Sequence, residues 1–139
     1  MRQHSIMIID DDRPFAEELA EMLALSGYRT EVCCEGDWAV EETVRMRPDV
    51  ILLDVKLDRT DGHQLALRLR QQKETRATPI IMMSAYFIYR YVAGDYEFCN
   101  IRSFLVKPFQ PLEVIARIER ALPGAAPPQQ QGAGMAAAG

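Results

Sequence analysis

Long hydrophobic runs are missing from this chain of 139 residues. No apolar stretch approaches the length of about 20 residues that spans a membrane, and the N-terminus has no signal-peptide pattern. Cysteine is scarce, because only Cys33, Cys34 and Cys99 occur, without the spacing of a metal site. We therefore expect buried or unreactive thiols in a reducing cytoplasm rather than a disulfide or a metal centre. An excess of positive charge is also missing: the net charge is −4, which disfavours nucleic-acid binding.

The apolar fraction of 48% is sufficient for a core, and the length suits one domain. From Pro123 onward the composition changes to Ala, Gly, Pro and Gln. Such a segment has too few large apolar side chains to pay for ordering, so we expect a disordered tail at 123–139. The predicted domain therefore covers residues 1–122.

Alternating strand-like and helix-like segments predict five β/α units. Helix punctuation supports this pattern, with Pro14 at the start of the first helix and Gly27 just past its end. The run Val50 to Leu53 is apolar on both faces, as expected of a central parallel strand. We expect strands near Ser5–Ile9, Thr30–Cys33, Val50–Leu53, Ile80–Met83 and Phe104–Val106. Helices should begin near Pro14, Gly36, Gly62 and Pro111, with one more between the last two strands. The third helix should end in the charged stretch Arg70 to Arg76. Leu112 should face inward from the last helix, and Trp38 is a possible packing residue of the second. Together these units predict an α/β fold with a parallel sheet covered on both faces.

Four of the apolar strands end on a polar residue that is fit for chemistry. Asp10, Asp11 and Asp12 follow the first strand, Asp54 ends the third, Ser84 ends the fourth and Lys107 follows the fifth. The carboxyl ends of parallel strands share one edge of the sheet, where ligands bind. We therefore predict one pocket that contains carboxylates, a hydroxyl and an ammonium group.

Crowded carboxylates repel one another, and a hard divalent cation is the usual compensation. Mg²⁺ prefers oxygen ligands and typically uses one or two carboxylates. We predict Asp11 and Asp54 as the ligand pair, with Asp10 in direct or water-mediated support. Asp54 could also attack phosphorus to form an acyl phosphate. In such a reaction Lys107 would neutralise phosphoryl oxygens, and the Ser84 hydroxyl would hydrogen-bond one of them.

Each of these features has a simpler explanation when it is taken alone. An Asp run before a helix can act as a cap for the helix, and a serine after a strand is often only a turn former. Their joint order and their common position at strand ends favour the functional interpretation.

This arrangement resembles the response-regulator receiver domain of two-component signal transduction, of the single-domain type. The resemblance covers about Ser5 to Leu122. The matching segments are Ile8-Ile9-Asp10-Asp11, Pro48 to Asp54, Asp61-Gly62, Pro79 to Ala85 and Phe104 to Phe109. The family implies a flavodoxin-like, doubly wound (βα)5 three-layer sandwich with strand order 2-1-3-4-5, an order that general fold rules already give for a receiver protein.

The resemblance also implies roles for individual residues. Asp54 would take a phosphoryl group from a histidine kinase or a phosphotransfer protein. Asp10, Asp11 and Asp54 would serve Mg²⁺, together with the backbone carbonyl of Lys56. Ser84 and Lys107 would bind the phosphoryl oxygens. Ser84 and Phe104 would form the switch, in which the aromatic ring turns inward when the serine is drawn to the phosphate.

The sequence departs from the family pattern at three places. Leu57-Asp58 replaces the usual Met-Pro, which adds a charge to the loop after the third strand. Asn100 replaces a glycine, but asparagine tolerates the left-handed conformation, so the turn can survive. The segment 86–98 is loaded with aromatic and β-branched residues, where the family usually has an Ala-rich fourth helix. We expect a short, shifted or mobile helix there, with an exposed aromatic patch for a protein partner.

The sequence-based interpretation is a phosphorylation-controlled switch, not an enzyme, that changes affinity for a protein partner through the face formed by the fourth helix, fifth strand and fifth helix. A homodimer through the same face is plausible for the family. A phosphorylation-independent scaffold with the same fold is the alternative. An aspartyl phosphatase of the haloacid-dehalogenase type is disfavoured, because its Asp-x-Asp pattern needs an acid at position 56, where Lys56 stands.

Overall fold

Five short apolar segments pair into a parallel sheet in a computed structural model that describes residues 3–85 and 99–124. The strands are β1 (Ser5–Ile9), β2 (Arg29–Cys33), β3 (Val50–Asp54), β4 (Ile80–Ser84) and β5 (Ile101–Val106). Their order in the sheet is β2-β1-β3-β4-β5, as the resemblance implies. β1, β3 and β4 are buried along their whole length, because helices cover both faces of the sheet.

Four helices in the described residues connect or follow these strands. They are α1 (Arg13–Leu25), α2 (Gly36–Met46), α3 (Gly62–Gln71) and α4 (Pro111–Ala121), numbered in chain order. The helix predicted between β4 and β5, with its aromatic patch, falls in 86–98 and lies outside the described residues. The predicted tail also falls outside them, from residue 125 onward.

Alternation along the strands divides the core into two clusters, one on each face of the sheet. Met7 and Ile9 of β1 face α2 and α3, whereas Ile6 and Ile8 face α1 and α4. Because side chains alternate along a strand, a single strand supplies both clusters. The sheet thus positions the residues at its carboxyl edge by two independent layers of packing.

Some details of the sequence-based expectations are corrected. β5 begins at Ile101 rather than Phe104, because Ile101 and Ser103 also pair with β4, with an irregularity at Arg102 between them. The polar Arg102 and Ser103 hide this part of the strand in the sequence. The charged stretch Arg70 to Arg76 is not all helix, since α3 ends at Gln71.

Two side chains predicted to pack inward are exposed. Leu112 was expected on the inner face of α4 but is 80% exposed. The inner face instead carries Val114, Ile118 and Ala121. Trp38, a possible packing residue of α2, is 55% exposed. Both lie in the first turn of a helix, where apolar periodicity alone does not fix the buried side.

Candidate functional site

The polar residues predicted at the strand ends come together at the carboxyl edge of the sheet. Backbone hydrogen bonds fix this edge: the Val55 N–H donates to the Met83 carbonyl at 2.8 Å, and the Lys107 N–H donates to the Ser84 carbonyl at 2.7 Å. The Asp10 N–H donates to the Cys33 carbonyl at 3.2 Å. The sheet ladder thus continues to the predicted site residues.

The three consecutive acids have different tasks. Asp12 is the N-cap of α1, and its side chain accepts a hydrogen bond from the Phe15 N–H at 3.2 Å. Asp10 is fully buried, with one oxygen accepting from the Asp12 N–H at 2.9 Å. The simpler capping explanation is therefore right for Asp12, and it leaves Asp10 and Asp11 for the site.

Asp10, Asp11 and Asp54 form a cluster of carboxylates. One oxygen from each lies within 4.8 Å of the others. Burial, followed by repulsion from Asp10, raises the pKa of Asp54 from 3.8 to about 6. Burial, then repulsion from Asp58 and Asp10, also raises the pKa of Asp11. Lys107 lowers the pKa of both groups but does not cancel these effects.

This donor set fits a hard divalent cation. All three groups offer oxygen atoms, and their mutual spacing allows them to share one ion with water completing the shell. A dication would also relieve the repulsion that raises the pKa of Asp54 and Asp11. The residues present therefore fit the Mg²⁺ that the sequence suggests.

Lys107 supplies the nearest positive charge. Its Nζ atom lies 2.6 Å from an Asp10 oxygen and 3.7 Å from an Asp54 oxygen. The same ammonium lies 4.2 Å from the centroid of the Phe15 ring, and Phe109 packs edge-on against that ring. A cation over an aromatic face is attracted to it. Phe15 therefore helps to hold the lysine, a role that its helical periodicity in the sequence does not reveal.

The loop after β3 is closed by an antiparallel bridge between Lys56 and Asp61. The bridge uses the hydrogen bonds from the Leu57 N–H to the Thr60 carbonyl and from the Gly62 N–H to the Val55 carbonyl. It does not use the backbone groups of Lys56 itself. The Lys56 N–H instead hydrogen-bonds Asp54 and lowers the pKa of that carboxyl. The Lys56 carbonyl as a metal ligand stays a prediction.

Asp58 and Gly62 affect the site more than the sequence suggested. After burial, the Asp58 charge is the next cause that raises the pKa of Asp11, so the substitution of the usual proline by Asp58 changes the electrostatics beside the predicted metal ligands. Gly62 begins α3 against the backbone of β3, and a Cβ atom there would lie 2.2 Å from the Asp54 carbonyl oxygen. In the sequence, the Asp61-Gly62 pair was the feature that could have indicated this close approach of α3 to β3.

Ser84 and Phe104 lie on neighbouring strands at this end of the sheet. Ser84 is 4% exposed, and Phe104 is partly buried against the cluster under α2 and α3. Arg117 of α4 donates from Nη1 to the Phe104 carbonyl at 3.2 Å. The positions suit the predicted switch pair, whose roles remain predictions.

Asn100 confirms the expectation for the turn before β5. Its φ angle is 61°, the left-handed conformation that asparagine tolerates better than most other residues. Its side-chain amide also donates to the Ala77 carbonyl at 2.8 Å, so the replacement of glycine adds a tie between two loops.

The arrangement of acids, hydroxyl and lysine at one sheet edge matches a known family. Residues 6–119 match the model of the response regulator receiver domain. This chain belongs to that family. Receiver domains are signalling domains of two-component response regulators. The family match and the strand order confirm the family and the fold predicted from the sequence.

Curated relatives include response regulators and transcriptional regulators. The chain is 35% identical over 119 residues to the response regulator MprA of Mycobacterium leprae. The aligned region covers 84% of this chain and 50% of that protein. It is 34% identical over 118 residues to the phosphate regulon regulator PhoB of Pseudomonas aeruginosa, covering 85% of this chain and 51% of PhoB. The chain thus spans about half the length of the curated relatives it matches.

Solved receiver structures have the same fold. A putative response regulator from Chloroflexus aurantiacus superposes with a TM-score of 0.77 at 31% identity, covering 86% of this chain and 98% of that one. The receiver domain of the sensor histidine kinase PA1611 from Pseudomonas aeruginosa has a TM-score of 0.71 at 30% identity, covering 86% and 97%. That structure contains a magnesium ion coordinated in its active-site cleft. In the described part of the present chain, no helix has the length and apolarity needed to cross a membrane.

Proposed function

We propose that this chain is a phosphorylation-controlled switch that accepts a phosphoryl group on Asp54 from a histidine kinase or a phosphotransfer protein. The observation that carries the proposal is the position of Asp54, which is 7% exposed, belongs to the acidic cluster and lies 3.7 Å from the Lys107 ammonium. A buried carboxylate beside a cation site and a nearby ammonium is suited to attack on phosphorus.

In the proposed reaction, an oxygen of the Asp54 carboxylate attacks the phosphorus of a phosphohistidine. The new O–P bond forms as the P–N bond breaks, and the imidazole nitrogen keeps the electron pair and takes a proton from solvent. Asp54 must be ionised, and above its pKa of about 6 it is mostly so. A bound Mg²⁺, held by Asp10, Asp11 and Asp54 with the Lys56 carbonyl, would supply positive charge opposite the phosphoryl oxygens.

The remaining residues of the site act on the product. Lys107, held over Phe15 and 3.7 Å from Asp54, would pair with one phosphoryl oxygen. Ser84 would donate its hydroxyl to another, and Phe104 would follow this movement. The output is a changed affinity for a downstream protein partner through the aromatic segment 86–98, β5 and α4, where a homodimer could also form.

The test is phosphorylation by a small donor, read by intact mass. The protein is incubated with Mg²⁺ and acetyl phosphate, alongside Asp54→Asn, a metal-free sample and Glu41→Gln, which removes an exposed carboxylate of α2. We expect one phosphoryl adduct in the wild type and in Glu41→Gln, and none in the other two samples. Because some receivers refuse small donors, a negative result is repeated with a phosphorylated phosphotransfer protein. Absence of an adduct in both experiments would favour the phosphorylation-independent scaffold.

A further inference from the structure

The Lys107 ammonium has three attractive neighbours at the carboxyl edge of the sheet. Its Nζ atom lies 2.6 Å from an Asp10 oxygen, 3.7 Å from an Asp54 oxygen and 4.2 Å from the centroid of the Phe15 ring. The shortest of these distances is the one to Asp10, to which the ammonium donates a hydrogen bond. To bind a phosphoryl group on Asp54, the ammonium must therefore loosen its contact with Asp10.

A cation at the acidic cluster would weaken the contact between Lys107 and Asp10. Asp10 is fully buried and is one of the three carboxylates that could share an ion. A dication bound there would compete for the same carboxylate charge and would repel the ammonium at short range. Of the three neighbours of Lys107, the Phe15 ring is the uncharged one, so its attraction for the ammonium does not depend on whether the cluster is occupied.

The geometry suits the Phe15 ring to this task. An ammonium within about 6 Å of a ring centroid is attracted by the negative face of the ring, and more strongly where water is scarce. The Lys107 side chain is 17% exposed, so it is largely shielded from water. Because the stem of a lysine is flexible, a fixed ring narrows the positions that the ammonium can take.

Two further contacts hold the Phe15 ring itself. The Phe15 N–H donates to the Asp12 side chain at 3.2 Å, in the capped first turn of α1. Phe109 packs against the ring with the two centroids 5.9 Å apart and the ring planes at 82°. Phe109 is two residues beyond Lys107 in the chain, so one short segment after β5 contacts the ring through both residues. The ring can therefore stay in place when the ammonium changes its partner.

Core packing alone is the simpler role for Phe15. Phe15 packs against the cluster under α1 and α4, and so does Tyr28, which precedes β2 at the amino edge of the sheet. If packing were the whole role of Phe15, an apolar side chain without a ring would serve at this position. The ammonium over the ring favours a second role.

We propose that Phe15 is a positioning residue for phosphoryl transfer. Its ring holds the Lys107 ammonium beside Asp54 while the partner of that ammonium changes from Asp10 to a phosphoryl oxygen. This inference rests on the proposed function and adds to it a residue that acts only through Lys107.

The first test measures the rate of phosphorylation by acetyl phosphate with Mg²⁺. Phe15→Leu keeps an apolar side chain but removes the ring, and the rate should fall about tenfold. Phe15→Tyr keeps the ring and should retain the wild-type rate within about twofold. Phenylalanine with one, two or three ring fluorines at position 15 keeps the shape of the side chain but weakens the negative face, so the rate should fall stepwise. Tyr28→Leu, the matched control, removes a ring from the same cluster and should leave the rate unchanged.

The second test measures the position of Lys107 by NMR and needs no phosphorylation. A proton above an aromatic ring is shifted upfield by the ring current. The ε-methylene protons of Lys107 should show this shift in the wild type, both without and with Mg²⁺. They should lose it in Phe15→Leu and keep it in Tyr28→Leu.

Four outcomes would overturn the inference and leave the proposed function in place: a wild-type rate in Phe15→Leu, an equal loss in Tyr28→Leu, a rate that ignores fluorination, or no ring-current shift in the wild type with Mg²⁺. Absence of an adduct in the wild type with both kinds of donor would instead overturn the proposed function and this inference with it. Thermal unfolding checks each variant. If Phe15→Leu does not fold, the fluorinated side chains replace it, because they preserve the packing.

Discussion

At the residue scale, the proposed reaction and the surroundings of Asp54 favour different ionisation states of its carboxyl group. Phosphoryl transfer needs the carboxylate, whereas burial and the charge of Asp10 favour the protonated acid and raise its pKa to about 6. A carboxyl that binds its proton more tightly in the folded state than in the unfolded state makes the folded protein less stable as pH rises through that range. The charged, metal-free site is therefore a local cost to the fold, and a cation would offset it.

This cost predicts that Asp54→Asn stabilises the metal-free protein at neutral pH. The folded pKa lies above the unfolded value of 3.8, so stability falls as pH rises from about 4 to about 6, and the full penalty remains above that window. At about 1.4 kcal/mol per pKa unit, the substitution should raise the free energy of unfolding by on the order of 1–3 kcal/mol. Below pH 4 the gain should vanish. Urea unfolding in EDTA at pH 7.5 and near pH 4 measures both values.

Two controls distinguish this effect from a general loss of negative charge. Glu41→Gln removes an exposed carboxylate and should change the stability by less than about 0.5 kcal/mol. Saturating Mg²⁺ should shrink the advantage of Asp54→Asn, because the ion binds the folded wild type more tightly than the variant. A variant that is no more stable than the wild type in EDTA would contradict the raised pKa.

At the element scale, the sequence predicts strands and the site edge well and helix faces less well. The strand ends could be located because Asp10, Asp54 and Ser84 each stop a run of large apolar residues, and a parallel sheet must bring those ends together. The contacts of Phe15 with Lys107 and of Arg117 with Phe104 could not be predicted. They depend on how α1 and α4 are rotated against the sheet, which one amphipathic pattern does not determine.

The junction of α3 with β3 leads to a prediction for Gly62. In Gly62→Ala the new Cβ would lie 2.2 Å from the Asp54 carbonyl oxygen and 3.0 Å from the Val55 Cα. Both are backbone atoms, so α3 or the end of β3 must move. We expect a loss of roughly 2 kcal/mol or more in the free energy of unfolding, as for overpacked cores. Slower phosphorylation by acetyl phosphate should accompany it, because Asp54 is displaced.

Gly36→Ala is the matched control. Its Cβ would meet the Thr60 methyl carbon at 2.8 Å, and that group ends a side chain that can rotate away. This variant should therefore lose less stability than Gly62→Ala and keep a phosphorylation rate close to that of the wild type. Equal effects of the two substitutions would show that the backbone contact at Asp54 is not the cause.

At the scale of the whole molecule, the candidate site lies at one edge of the sheet. The carboxyl edge collects Asp10, Asp11, Asp54 and Lys107. The sequence indicates this edge because these residues follow apolar runs directly.

The extent of the domain is the last prediction at this scale. Both core clusters are composed of residues between Ile6 and Leu122, and the sequence after Pro123 has no large apolar side chain except Met135. We propose, as the sequence predicts, that residues 1–122 contain the whole folding unit. Removal of 125–139 should leave the free energy of unfolding within about 0.5 kcal/mol of the wild-type value. The urea m-value should also stay unchanged, since the m-value follows the surface exposed on unfolding.

Removal of 118–139 is the control, because it deletes the buried Ile118 and Ala121 and should destabilise the protein by several kcal/mol. A lower m-value after removal of 125–139 would show that the tail packs on the domain.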